Sequence, residues 1–233
     1  MRFLGFVVGL GALFAAGSAG AAVIFDNITG VTAGGTSSLA TGKSASPDGN
    51  SFSVTGALIV TSISVPLSAT NNADGGSISV YLVPNAGSIP SSTGRVLTNT
   101  FLVGTILDSA LTTSATLQTL TTNKSVAAGR FWIELVNSSD TANGGSGTAS
   151  SAFWTFNNDG AGVGTTGEFF SFTNITNTAF TSLSDTAGPW QMIVQASASV
   201  TSAPEPASLA VVAAGLAGLR LARRRRAGKS SRG

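Results

Sequence analysis

The chain has no cysteine and no histidine, only one tyrosine, and charged residues at just 9% of its positions. Without cysteine there is no disulfide framework and no thiolate ligand for a metal. Without histidine, Ser-His-Asp and Cys-His nucleophilic sites, imidazole metal centres and His-based acid–base catalysis are all excluded. Carboxylate, lysine and tyrosine chemistry remain open, as do cations held by oxygen. Windows rich in helix formers are also scarce. Thr, Ser, Gly, Asn and Val are spread through the chain instead.

Two apolar runs mark the ends. Arg2 precedes an apolar stretch over 3–16, followed by Gly17-Ser18-Ala19-Gly20-Ala21-Ala22. A basic start, a short apolar centre and small residues are the pattern of a secretory signal peptide. The expected segment is 1–21, with a cut after Ala21 or, as second choice, after Ala22; the competing reading is a buried N-terminal helix. No twin arginine is present, so export through the general secretion machinery is expected.

At the other end stand Ala203-Pro204-Glu205-Pro206-Ala207-Ser208, an apolar run to Leu221, and Arg223-Arg224-Arg225-Arg226. As a helix, 207–222 would extend roughly 24 Å against a hydrocarbon core of about 30 Å, a short span. The arginines would hold that end on the cytoplasmic side, with Arg220 snorkelling toward them. Pro204 and Pro206 lack amide hydrogens and fix their own φ, which keeps the linker 199–206 extended and accessible. In order and spacing these three elements resemble the C-terminal tripartite signal of the PEP-CTERM proteins. The resemblance implies export from a Gram-negative bacterium and processing by a membrane-embedded exosortase-like protease, with Pro204, Glu205 and Pro206 as sorting motif and Arg223, Arg224, Arg225 and Arg226 as the basic stop in the tail 223–233. A permanent single-span anchor is the alternative.

The two end segments hold eight of the twelve basic residues. Between 23 and 202 only Lys43, Arg95, Lys124 and Arg130 face nine acids, a net of −5. A mildly acidic, charge-poor body has no electrostatic footprint for phosphate backbones, so nucleic acid is not an expected partner.

The body, 22–198, is long enough for one substantial core and reads as a single domain. Period-two alternation dominates it. Thr61, Ile63, Val65 and Leu67 interleave with Ser62, Ser64 and Pro66, and Ile78, Val80 and Leu82 interleave with Ser79 and Tyr81. Both read as strands, and Asn71-Asn72-Ala73-Asp74-Gly75-Gly76 between them supplies the positive-φ residues of a hairpin connection. Further strands are expected at 23–26, 51–55, 96–101, 117–122, 130–136, 152–156, 168–173 and 190–196, with Gly/Ser/Thr-rich mobile loops at 30–50 and 137–150. Many short strands without intervening helices favour an all-β, antiparallel two-sheet sandwich of jelly-roll-like type, with no helix longer than about two turns.

Phe25-Asp26-Asn27, Ser51-Phe52-Ser53-Val54-Thr55-Gly56, Gly76-Ser77-Ile78-Ser79-Val80-Tyr81-Leu82 and Ala127-Ala128-Gly129-Arg130-Phe131-Trp132-Ile133 follow one another along this body. In that order they resemble the choice-of-anchor type R domain, an exported bacterial module. Ile89-Pro90-Ser91 replaces the Pro-Gly turn frequent there, and Phe131-Trp132 replaces Tyr-Trp. The resemblance implies no catalytic residues and no cofactor.

Trp132 and Glu134 share one strand face, opposite Phe131, Ile133 and Leu135. With Trp154 they form a candidate ligand face, since aromatics beside carboxylates are common in sugar sites, although core packing explains each tryptophan as well. Trp154 with Phe156, and Trp190 with Met192 and Val194, read as core ladders. Asn157-Asn158-Asp159-Gly160 and 71–75 offer oxygens, yet neither has the repeated spacing and closing Glu of a calcium loop, so plain turns are expected and no metal ligand is assigned. The glycine-rich stretches 144–147 and 160–167 lack the Lys-Ser/Thr and the following helix of phosphate-cradling loops. Glycosidase chemistry would need Glu134 and Glu168 to converge within about 5–9.5 Å. The sequons at Asn27, Asn123, Asn137 and Asn174 are explained by strand and turn polarity. Two classes follow: a non-enzymatic surface or matrix protein associated with exopolysaccharide or biofilm, or a carbohydrate-binding module or weak glycan-active enzyme.

Overall fold

The computed structural model describes residues 20–39, 47–145, 147–157, 169–173, 180–184 and 189–199. In order the strands are β1 (Ala22–Asp26), β2 (Ala33–Ser38), β3 (Asp48–Val54), β4 (Leu58–Ala69), β5 (Ser77–Ala86), β6 (Ile89–Pro90), β7 (Ser92–Thr93), β8 (Val96–Leu97), β9 (Phe101–Leu107), β10 (Thr116–Val126), β11 (Gly129–Asn137), β12 (Ala152–Asn157), β13 (Phe169–Thr173), β14 (Phe180–Ser184) and β15 (Ile193–Ala198). Helical structure among the described residues consists of two single-turn 3-10 segments, Asp108–Ala110 and Thr141–Asn143.

Two antiparallel sheets face each other. In the first, the twelve-residue β4 is the spine: β10 runs along one edge, while β15 and then β12 share the other. β1 and β2 extend the sheet beyond β15 and β12. The second sheet runs β14-β13-β3-β11-β5, with β9 and β6 also paired to β5. Alternation settles which side chains are inside. Ile63, Val65 and Leu67 of β4 join Ile78, Val80 and Leu82 of β5, Ile133 and Leu135 of β11, and Val194 of β15 in one buried cluster. At about 25 cal/mol per Å² of apolar surface, this shared layer is the dominant stabilising term in a chain with no covalent cross-links.

Several sequence expectations change here. The loop expected over 30–50 contains β2 and the start of β3; the short side chains of Ala33–Ser38 suit an edge strand beside β12, where Gly35 lets the Phe156 ring approach. The strand expected at 96–101 is split, because Asn99 takes a left-handed φ of 54° between β8 and β9. The segment 137–150, expected as a mobile loop, is tied down. Asn137 donates to the carbonyls of Leu39 and Ser150 and accepts from the Ser139 and Ser150 amides. The final strand starts at Ile193 instead of Trp190, which forms an isolated bridge to Phe156. β14 is not among the expected strands, and β4 and β5, expected as a hairpin, do not pair, because the connection between them crosses from one sheet to the other. Residues 1–19, most of the linker 199–206, and 207–233 lie outside the described residues.

Candidate functional site

The two outer faces of the sandwich differ. On the second sheet, Trp132, Glu134 and Val136 of β11 point away from the main core, as alternation requires. They do not meet solvent. The excursion between β5 and β9 folds back over them, and Val83, Leu97, Trp132 and Val136 form a second small buried cluster flanked by Tyr81 and Ile89. The Trp132 indole N–H donates to Asn85 Oδ1 at 2.8 Å. Arg95 pairs with the buried Asp140 at 3.0 Å, and Asn143 accepts the Leu97 amide through Oδ1. Tyr81 donates its hydroxyl to the Asn143 carbonyl, so the turn at 140–143 is pinned onto this cover.

Glu134 is fully buried opposite Gly49 of β3. A Cβ at Gly49 would lie 2.1 Å from Glu134 Oε1, so the absence of a side chain there makes room for the carboxyl. Trp154 lies elsewhere, in the main core, stacked on Trp190 with ring centroids 5.4 Å apart and planes 12° apart. Trp132, Glu134 and Trp154 are each 0% exposed, and the two tryptophans occupy separate clusters, so the three do not line a common open face. The cause is steric: Trp132, on the outer face of β11, is covered by the β6–β8 excursion, and Trp154, on the inner face of β12, is covered by the opposite sheet.

A buried amide network escaped sequence reading. Asn27 and Asn50 both donate to the Trp190 carbonyl, at 2.9 and 2.7 Å. Asn27 Oδ1 accepts the Met192 amide at 2.7 Å, Asn157 donates to the Asn27 carbonyl, and Gln191 donates to Asn157 Oδ1. These bonds fasten the ends of β1, β3 and β12 to the chain entering β15. Two of the sequons, Asn27 and Asn137, therefore have structural side chains buried at 0% exposure. Single-sequence patterns give such amides no marker, because an Asn in a turn and an Asn in a core network look the same.

At one end of the sandwich two carboxyls meet. Asp108 accepts from the Ser150 hydroxyl at 2.6 Å and the Ser151 amide at 3.0 Å, and Asp74 neighbours it. Asp74 in turn accepts the Gly76 amide at 3.0 Å. Burial pushes the Asp108 carboxyl above its ordinary value, with the neighbouring Asp74 adding to the shift. The Gly76 amide holds Asp74 below the ordinary 3.8. A raised pKa means that the Asp108 contribution is complete below its unfolded value and is lost as pH rises through the folded value. The Asp74 contribution runs oppositely, being lost as pH falls below 3.8. Asp74→Asn keeps an acceptor for Gly76 and removes one facing charge. Relative to wild type, the variant's thermal midpoint is expected to shift upward between about pH 4 and about pH 7. A difference that stays constant across that range would contradict the pairing.

The 71–75 segment is a turn stabilised by Asn71 Oδ1 and Asp74 Oδ1 accepting the Ala73 and Gly76 amides. Among the described residues no group of three or more acids, histidines or cysteines is placed to hold a metal. Residues 158–168, with Glu168 and most of the 157–160 turn, and Asn174 lie outside the described residues. Open hollows also occur among the described residues. One, of about 170 Å³, is lined by Tyr81, Val96, Leu97, Thr100, Ala142 and Asn143; another, of about 330 Å³, by Thr36, Ser68, Ala69, Thr70, Thr113 and Phe153.

No protein-family model and no curated protein matches this sequence. Among solved structures, the chain is similar to the cysteine protease and lectin-like domains of Cwp84, a surface layer associated protein of Clostridium difficile. That similarity has 16% identity and a TM-score of 0.42, and covers 66% of this chain and 33% of that one. The chain thus spans about a third of that structure's length, and a likeness this distant carries nothing about activity.

Proposed function

We propose that this is an exported, non-enzymatic surface or extracellular-matrix protein of the PEP-CTERM type, whose jelly-roll-like, choice-of-anchor type R body is delivered by removable signals at both ends. The observation that carries the reading is the ordered tail: Pro204-Glu205-Pro206, an apolar run and Arg223-Arg224-Arg225-Arg226. In this reading the general secretion machinery takes the chain across the cytoplasmic membrane, the span at 207–222 holds it there transiently, and an exosortase-like protease releases it toward the cell surface or an exopolysaccharide matrix. The composition supports a non-catalytic role: the chain lacks histidine and cysteine. The buried carboxylates of Asp108 and Asp140 hold structural hydrogen bonds, Asp108 from Ser150 and Ser151 and Asp140 from Ala142 and Asn143.

Replacing Pro204-Glu205-Pro206 by three alanines is expected to block maturation and leave the chain in the cytoplasmic membrane, because the extended recognition peptide is lost while span and arginine stop remain. Fractionation with tail-specific immunoblotting reads the result. Normal release of the triple variant would overturn Pro204-Glu205-Pro206 as the sorting motif, and a wild-type chain retained intact in the membrane would favour the permanent-anchor alternative.

A further inference from the structure

The outer face of the first sheet has no cover like the β6–β8 excursion among the described residues, and it differs chemically from the face that has one. Phe153 of β12 alternates with the buried Trp154 and therefore points outward, where it is half-exposed. Its direct neighbours on the flanking strands are Ser38 of β2 and Ser68 of β4. Directly opposed residues share a sheet face, so the ring is set among hydroxyls instead of apolar side chains. The adjoining hollow, about 330 Å³, is lined by Thr36, Ser68, Ala69, Thr70, Thr113 and Phe153, none of them charged. The uncharged character continues along the sheet, where Ser64 and Thr119 are hydrogen-bonded at 2.8 Å and Ser62 donates to Gln195.

We propose that the Phe153 hollow binds a neutral polysaccharide chain, its ring stacking on a sugar face while exposed Thr36, Thr70 and Thr113 supply hydroxyls at the rim. This rests on the matrix-associated reading above and names the part of the body that makes the contact. Three features select the ligand class. An uncharged lining gives no counter-charge to an anionic polymer, so a neutral one is favoured. A ring with hydroxyl donors and acceptors around it matches a sugar, which has an apolar face and a polar edge. The hollow is open and lies on a sheet face, which admits a passing chain as well as a chain end. The smaller hollow beside Tyr81 is the weaker candidate, at about 170 Å³.

The test uses the full chain in mild detergent. Hydroxyethylcellulose, galactomannan and dextran serve as neutral probes in affinity electrophoresis and calorimetry, with alginate as the anionic comparison. Wild type is expected to bind at least one neutral probe and not alginate. Phe153→Ala is expected to weaken that binding by about tenfold or more, while Phe153→Tyr, which keeps the ring, stays within about threefold. Thr113→Lys, at an exposed rim position, provides a second loss-of-binding variant should Phe153→Ala fold poorly. Wild-type binding that neither Phe153→Ala nor Thr113→Lys weakens would overturn the hollow while leaving the matrix reading intact. Failure of wild type to bind any of the neutral probes or the producing cell's own exopolysaccharide would overturn both. If Phe153→Ala instead converts a dimer to a monomer in light scattering, the face is a contact between copies and the proposal falls.

Discussion

Trp154→Ala is expected to lower the unfolding free energy by about 3–5 kcal/mol, read from urea denaturation midpoints at constant slope. Trp154 is 0% exposed, and its indole N–H donates to the Gln191 carbonyl at 2.7 Å. Its ring stacks on Trp190, which meets Phe156 edge-on with centroids 6.1 Å apart. Truncation therefore opens a cavity, removes an aromatic pair and leaves a buried carbonyl without that donor. Against a typical net stability of about 5–15 kcal/mol, the loss would bring the body close to unfolding. An unchanged midpoint would show that the Trp154 stack does not anchor the chain leading into β15.

Asn27→Ala is expected to cost about 1–3 kcal/mol, a large effect for a side chain with no hydrophobic contribution. The reason is what it leaves behind. Met192 is fully buried, and its amide would lose the Asn27 Oδ1 acceptor. The Trp190 carbonyl keeps its bond from Asn50, so the penalty falls mainly on one orphaned donor. A loss below about 0.5 kcal/mol would mean that water replaces the amide and that the network is not a structural clamp.

The all-β character was legible because period-two alternation needs only local information. Ile63, Val65 and Leu67 announce an inward face whatever strand they pair with, and the structure buries all three. The face assignment on β11 was legible for the same reason, with Ile133 and Leu135 inside and Trp132 and Val136 on the other side. Pairing partners were not legible. That β4 receives β15 from the far end of the chain is a long-range fact, and so is the covering of Trp132 by the segment 87–100, in which local pattern marks only a strand from 96 onward. The candidate ligand face failed at that step, since alternation says that Trp132 leaves the main core and says nothing about what folds over it. β2 was hidden by its Ala-Gly-Gly-Thr-Ser-Ser sequence, which has low intrinsic strand preference and is held by pairing to β12. Phe153 was visible in the sequence only as part of an expected strand; its importance comes from the serines that β2 and β4 place beside it.

The account's central claim is that the mature protein is this sandwich with both end segments removed, and the intact mass of the protein recovered outside the cytoplasmic membrane tests it most directly. The predicted mass is that of a chain beginning at Ala22 or Val23 and ending before the apolar run at 207–222. A mature chain that still carries Arg223-Arg224-Arg225-Arg226 would contradict it.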